Sequence, residues 1–172
     1  MSRQTPLLRS GLAALLACLC GGCGYYGGYY AQDGEWAYAV EVGTAVDTAP
    51  CDAFYAGDTV ECSLVIRNAS AGTDMYRYTS PGARFWVTDT TGRVVWDSTC
   101  DVSSGATPLS APVPAHSELV FTATWELVDD VGWPVADGTY LIYAQARGQL
   151  DSGEPLPVAD PAVVDVYTEV IY

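Results

Sequence analysis

From residue 36 onward, apolar and polar side chains alternate along the chain with a period of two, which is typical of half-buried β-strands. The alternation is clearest over residues 118–127 and returns over residues 36–42, 59–68, 139–146 and 163–171. No stretch has the helical period of about 3.6 residues. The apolar side chains that we expect to face the core are Trp36, Tyr38, Val40, Val42, Val60, Cys62, Leu64, Ile66, Leu119, Phe121, Ala123, Trp125, Leu127, Tyr140, Ile142, Ala144 and Ala146.

Turn signals separate these strands. Residues 84–98 are predicted to form a hairpin in which Gly92 takes the left-handed backbone conformation of a tight turn. Asp137 and Gly138 supply another turn signal just before a strand. Short strands that alternate with turns in this way predict an all-β fold. We expect an immunoglobulin-like antiparallel β-sandwich of seven to eight strands over residues 36–172.

The N-terminus has the layout of an export signal. Residues 1–10 carry two arginines and no acidic residue, and residues 11–17 are a seven-residue apolar run that is too short to span a bilayer. We therefore expect residues 1–17 to be a signal peptide that is removed from the mature protein.

The end of this signal, LLAC at residues 15–18, resembles the bacterial lipobox. The resemblance implies that Cys18 becomes the first mature residue and carries diacylglycerol on its sulfur, usually with a third acyl chain on its amine. Two or more acyl chains anchor a protein stably to a lipid bilayer. Cys23, preceded by Gly22, is the alternative lipidation site, and ordinary secretion without a lipid is the other alternative. The expected location is the bacterial cell envelope, either periplasmic or surface-exposed.

Residues 18–35 would then form the lipidated N-terminus and a tether rich in glycine and tyrosine. As flexible coil, residues 19–34 give a reach of roughly 22 Å. The sequence leaves open whether Cys20 and Cys23 pair, are acylated or stay free.

The charge balance excludes one class of partner. The chain has 21 acidic residues, seven arginines and no lysine, with a net charge of −14. Removal of Arg3 and Arg9 with the signal peptide leaves about −16. A chain of this charge does not displace counterions from a phosphate backbone, so we expect no nucleic-acid partner.

Several strand and turn residues together resemble the bacterial intracellular proteinase inhibitor family called BsuPI-like. They are Asn68 at the end of a strand, residues 92–96 in the hairpin, Trp125, Gly132, and residues 138–140. The resemblance covers residues 60–146. It implies an immunoglobulin-like sandwich and a role as a proteinase inhibitor. As large aromatic residues on expected strands, Trp96, Trp125 and Tyr140 are expected to lie in the core.

An inhibitor of this kind needs an exposed loop that enters a protease cleft as an extended strand. The best candidate is residues 99–114, which are rich in proline and contain Leu109 as their only bulky apolar side chain apart from valines. An ordinary crossover loop is the alternative interpretation. If the loop is inhibitory, we expect weak inhibition of subtilisin-like enzymes that Leu109→Asp abolishes, and no effect on trypsin-like enzymes.

Three further cysteines lie in the expected domain. Cys51, Cys62 and Cys100 allow at most one bridge among themselves, and we favour Cys51–Cys62 over the alternative Cys51–Cys100. Their spacings are not those of paired zinc ligands, and the chain has one histidine, so we expect no metal site.

The sequence contains no recognisable catalytic arrangement. His116 precedes a strand in an expected turn, and Asp129 and Asp130 are adjacent in an expected loop, where neighbouring side chains point apart. We therefore expect neither an enzyme nor a cofactor. The predicted function is a membrane-anchored lipoprotein that presents a β-sandwich to bind another protein. The alternative is a proteinase inhibitor that acts through an exposed loop on a protease.

Overall fold

The computed structural model of the protein describes residues 38–99, 107–154 and 156–168, together with the backbone of residues 27–28. The described residues form β-strands and no helix. Within them, therefore, no helix is long and apolar enough to cross a bilayer. The strands are β1 Gly27–Gly28, β2 Tyr38–Val46, β3 Ala49–Pro50, β4 Ala53–Tyr55, β5 Val60–Asn68, β6 Asp74–Asp89, β7 Val94–Asp97, β8 Pro108–Val113, β9 Glu118–Trp125, β10 Gly138–Leu150 and β11 Ala162–Tyr167.

The strands form two sheets. The first has the order β1-β2-β5-β9, with β3 also paired to β2, and all of its pairs are antiparallel. The second has the order β4-β11-β10-β6-β7, with β8 also paired to β6. Its β4–β11 pair is parallel, and its other pairs within the described ranges are antiparallel. The fold is therefore the expected immunoglobulin-like β-sandwich. Among the strands of the described residues, eight have four or more residues and three are shorter.

The alternating residues face the core as the period of two predicts. In β5, Val60, Cys62, Leu64 and Ile66 are all fully buried, and the residues between them are only partly covered. The same pattern holds in β10 up to Ala144. Trp125 ends β9 as one of the largest buried side chains, whereas Leu119, Phe121 and Ala123 are half-buried because β9 lies at a sheet edge. The expectation for Trp36 lies outside the described residues.

The hairpin and the strand-end asparagine are also as expected. Strands β6 and β7 pair around a turn in which Gly92 has a φ of 86°. Asn68 is buried at the end of β5, where its Nδ2 donates to the carbonyls of Gly72 and Val113 at 2.8 and 2.9 Å. Its side chain thereby ties the end of β5 to the turn that precedes β6 and to the end of β8. Trp96 is half-buried and packs against the edge of the core.

The favoured disulfide is absent, and Cys51 and Cys62 are free thiols. Cys51 lies between β3 and β4, where its Sγ donates to the carbonyl of Ala53 at 2.8 Å. Cys62 lies on β5 and points into the core between the sheets. Its burial raises the pKa of its thiol to about 12, so the sulfur stays protonated and unreactive. Cys18, Cys20, Cys23 and Cys100 lie outside the described residues.

Candidate interaction site

An apolar tip projects from the segment that leads from β9 to β10. Residues 128–134, here called the Trp133 loop, expose two large apolar side chains, Val131 at 76% and Trp133 at 71% of their full accessible area. Exposed tryptophan is uncommon on a folded surface, and tryptophan is enriched among the residues that dominate protein–protein affinity.

The loop is closed by a single carboxylate. Oδ1 of Asp129 accepts hydrogen bonds from the backbone amides of Val131 at 3.0 Å and Trp133 at 2.9 Å. The Asp129 amide donates to the carbonyl of Trp133 at 2.8 Å, and the Gly132 amide donates to the carbonyl of Asp129 at 2.9 Å. Gly132 has a φ of 87°, a conformation that favours glycine. These bonds fix the backbone beneath both apolar side chains.

The base of the loop is fastened to the sandwich. The Asp130 amide donates to the carbonyl of Val95 on β7 at 3.0 Å, and Oδ1 of Asp130 accepts from the amide of Asp97 at 2.9 Å. On the core side, the indole Nε1 of Trp125 donates to the carbonyl of Val128 at 2.8 Å. Hydrogen bonds to β7 of the β6–β7 hairpin and to the buried Trp125 therefore hold the base of the Trp133 loop in place.

The surroundings of the tip are acidic. Asp129 and Asp130 lie within the loop itself, beside a recess of about 260 Å³ that is also lined by Arg93 and Val94. Arg93 forms an ion pair with Asp89 at 3.1 Å. An apolar tip above a negatively charged base is suited to an apolar pocket with a positively charged rim.

The structure places Leu109 elsewhere. Residues 108–113 of the expected loop 99–114 are strand β8, in which Leu109 pairs with Tyr78 of β6 and is 44% exposed. The expectation of a free loop is therefore wrong for these residues, because their backbone is already engaged in a ladder. Residues 100–106 lie outside the described residues. Leu109 and the Trp133 loop lie toward opposite ends of β6, since β8 pairs with its first half and β7 with its second.

The other residues singled out in the sequence are not brought together. His116 is exposed in a turn with a φ of 54°. Asp129 bonds within its own loop, whereas Asp130 bonds to β7, so the two carboxylates serve separate contacts. Within the described ranges, no group of three or more histidine, cysteine or acidic residues is arranged to hold a metal ion.

Sequence reasoning missed Trp133. Its position follows no alternation, so it carries no strand signal. The available signal was local: an aspartate four residues before a tryptophan that stands between glycine and proline. That pattern favours a tight turn whose amides are capped by the aspartate, and a tryptophan in such a turn has little to pack against.

No family model and no curated protein matches the chain. Similar solved structures include the CARDB domain of the PF1109 protein from Pyrococcus furiosus, with 13% identity over 80% of this chain and 100% of that one, at a TM-score of 0.35. Spo0M, a sporulation control protein from Bacillus subtilis, has 13% identity over 76% of this chain and 50% of its own, at 0.37. A β-glucosidase from Listeria innocua has 13% identity, and the chain spans 16% of its length, at 0.39.

Proposed function

We propose that this protein is a bacterial cell-envelope lipoprotein, anchored through Cys18, whose β-sandwich binds another protein through the Trp133 loop. The observation that carries the proposal is a pair of large apolar side chains, Val131 and Trp133, exposed on a backbone that Asp129 holds in place. Binding then costs little conformational entropy, because the loop is already ordered in one conformation.

The partner is expected to offer an apolar pocket for Trp133 and basic residues around it. Asp129 and Asp130 lie next to the tip, and the whole chain carries a charge of −14. The same charges argue against insertion of the tip into a membrane, because anionic lipid surfaces repel acidic segments. A protein is therefore the favoured partner.

The N-terminal sequence supports the anchor. A lipid on Cys18 and a tether over residues 19–34 would hold the sandwich within roughly 22 Å of the bilayer. Restriction to that layer raises the effective concentration of the loop toward partners in the same membrane.

The anchor is tested by labelling cells with a clickable fatty acid. Cys18→Ser is expected to abolish labelling and to release or misprocess the protein, whereas Cys23→Ser is expected to retain it. Labelling that persists in Cys18→Ser and is lost in Cys23→Ser would move the anchor to Cys23.

The binding site is tested by photo-crosslinking in intact cells, with a photoreactive amino acid at Val131. A discrete crosslinked species is expected, and Trp133→Ala in the same chain is expected to remove it. The matched control places the same amino acid at Val120, which is also an exposed valine, at 49%, on the outer face of β9. Equal adducts from both positions would contradict the proposal, and adducts with lipid alone would favour membrane insertion.

Proteinase inhibition is the second candidate function. It is supported by the braced, projecting shape of the Trp133 loop, since a protein inhibitor gains from a loop that is ordered before binding. Residual activity of subtilisin-like and trypsin-like enzymes against rising concentrations of the protein tests it. Loss of inhibition in Trp133→Ala would assign the activity to this loop, and loss in Leu109→Asp would assign it to β8. If neither class of enzyme is inhibited, protein binding without inhibition remains as the proposed function.

A further inference from the structure

The hairpin of β10 and β11 is open over half of its length. The two strands pair from Gly138↔Val166 to Ile142↔Ala162, and β10 then continues to Leu150 paired with β6 but no longer with β11. If the register continued, Val158 would lie opposite Ala146. Instead Val158 is 90% exposed, so the segment that returns from β10 to β11 turns away from β10.

The opening is a cleft of about 540 Å³. One wall is β10, and the other is formed by described residues of the returning segment, including Glu154, Leu156 and Val158. Val40 and Ala144, which are both buried core residues, lie at its floor, so the cleft reaches between the two sheets.

The aromatic side of the cleft is held in place by stacking. Tyr143 and Trp86, which are paired across β10 and β6, stack with their ring centroids 5.2 Å apart and an angle of 6° between the planes. The guanidinium of Arg84 lies 5.0 Å from the Trp86 ring centroid, and its Nε bonds to Asp97 at 3.0 Å. This wall is therefore formed before any ligand arrives.

The backbone direction of β10 follows from its neighbours. The carbonyl of Phe85 accepts a hydrogen bond from the amide of Ser98, and the amide of Asp89 donates to the carbonyl of Arg93. In this half of β6, therefore, the backbone N–H and C=O groups of the odd-numbered residues point toward β7. Hydrogen-bonding direction alternates along a strand, so the even-numbered residues of β6 bond to β10. Their partners in β10, such as Tyr143 opposite Trp86, are odd-numbered.

The amides and carbonyls of Ala144 and Ala146 therefore point into the cleft. Among the described residues, no backbone hydrogen bond joins either of them to the returning segment. Edge groups of this kind are a template for another strand, and strand addition is an established mode of peptide recognition.

The charge of the cleft favours a basic partner over a second copy of this chain. Glu154 is the only charged side chain among the described residues that line it, and none of the ion pairs found in the described part of the chain includes Glu154. A second copy of this chain would bring a second Glu154 and a second charge of −14 to the edge.

We propose that this cleft binds an extended segment of a partner protein, which adds a strand to β10 at Ala144 and Ala146. One apolar side chain of that segment enters the cleft above Val40, and a lysine or arginine side chain reaches Glu154. This site is separate from the Trp133 loop and does not depend on it.

The test uses a dye-labelled heptapeptide of alternating valine and lysine, titrated by fluorescence anisotropy with the protein. Saturable binding is expected. Two further peptides are methylated on every second backbone nitrogen, one on the odd and one on the even positions. Both keep the charge of the parent peptide but lose half of its amide hydrogen-bond donors. At least one of them is expected to bind about tenfold more weakly. Glu154→Gln is expected to weaken binding about three- to fivefold. Trp133→Ala is expected to leave it unchanged.

Ala146→Pro removes the donor that faces the cleft and keeps the ladder to β6, since proline is tolerated where its nitrogen faces away from the sheet. Its melting temperature is measured beside its binding, and the methylated peptides give the same test if the variant does not fold. Equal affinity for methylated and unmethylated peptides would overturn the proposal. So would the absence of saturable binding, or a dimer that Ala146→Pro disrupts.

Discussion

Two tryptophans eight residues apart have opposite environments. Trp125 ends β9 with no accessible surface, where its ring meets Tyr140 edge to face at 5.6 Å and its indole nitrogen bonds to Val128. Trp133 is 71% exposed at the tip of the loop, and its hydrogen bonds to other described residues are made by its backbone amide and carbonyl. The fold holds the first by its side chain and the second by its main chain.

The difference separates two uses of an aromatic residue. Burial of a tryptophan removes a large apolar area from water and stabilises the fold. An exposed tryptophan provides no such gain in the folded monomer, and the gain comes when a partner covers it. The bond from Trp125 to Val128 joins the two regions, because the buried side chain supports the base of the loop that presents the exposed one.

The largest expected effect on stability is that of Trp125→Ala. Removal of this buried side chain is expected to cost about 3–5 kcal/mol of unfolding free energy, which is most of the stability of a typical domain. Thermal unfolding followed by circular dichroism is the measurement, on the full chain beside the wild type. An unchanged melting temperature would show that the inward face of β9 is assigned wrongly.

A smaller effect is expected for Asp129→Ala. The substitution removes the acceptor for the amides of Val131 and Trp133, at a cost of about 1–2 kcal/mol. Hydrogen exchange of these two amides is expected to speed up, and the crosslink from Val131 is expected to weaken. Asp129→Asn keeps the acceptor oxygen and serves as the matched control. If both variants exchange at the wild-type rate, the aspartate does not brace the loop.

The smallest effect concerns a second turn that an aspartate closes. Asp89 accepts hydrogen bonds from the hydroxyl and amide of Thr91 and from the amide and Nε of Arg93, and these lower its pKa from 3.8 to about 2. Because the pKa is lower in the folded state, the stabilisation is complete above about pH 4 and is lost as the pH falls through 2. Amide chemical shifts of Thr91 and Arg93, followed by NMR, report the transition.

The control for that titration is Asp89→Asn, in which these amide shifts are expected to stay constant between pH 4 and pH 2. A midpoint near 4 in the wild type would contradict the lowered pKa. The β6–β7 turn shares its aspartate-capped backbone with the Trp133 loop, but its tip carries Thr90, Thr91 and Gly92 and no large apolar side chain.

Much of the sandwich could be predicted because alternation records burial directly. In β5 every second residue faces the core, so the strand and its inward face follow from the sequence alone. The first half of β6 does not, because Ser80, Pro81 and Gly82 signal a turn where the strand in fact continues. A Cβ on Gly82 would lie 2.3 Å from the Phe121 ring, so a larger residue would collide with the other sheet. The sequence around Gly82 does not reveal this contact.

The candidate sites could not be predicted from the sequence either, because they also depend on tertiary contacts. The composition of residues 99–114 points to Leu109, but the pairing of Leu109 with β6 depends on a strand distant in sequence. The Trp133 loop depends on a bond between Asp130 and β7, and the cleft depends on where β11 stops pairing with β10. These are tertiary contacts, and a period of two along one strand does not encode them.

The most direct test of the central claim measures Trp133→Ala twice, for folding and for binding. The melting temperature is expected to stay within about 2 °C of the wild type, as for other surface substitutions. Affinity for the partner captured through Val131, measured by calorimetry, is expected to fall at least about 30-fold. A melting temperature that falls as far as that of Trp125→Ala, or an affinity that does not change, would contradict the account.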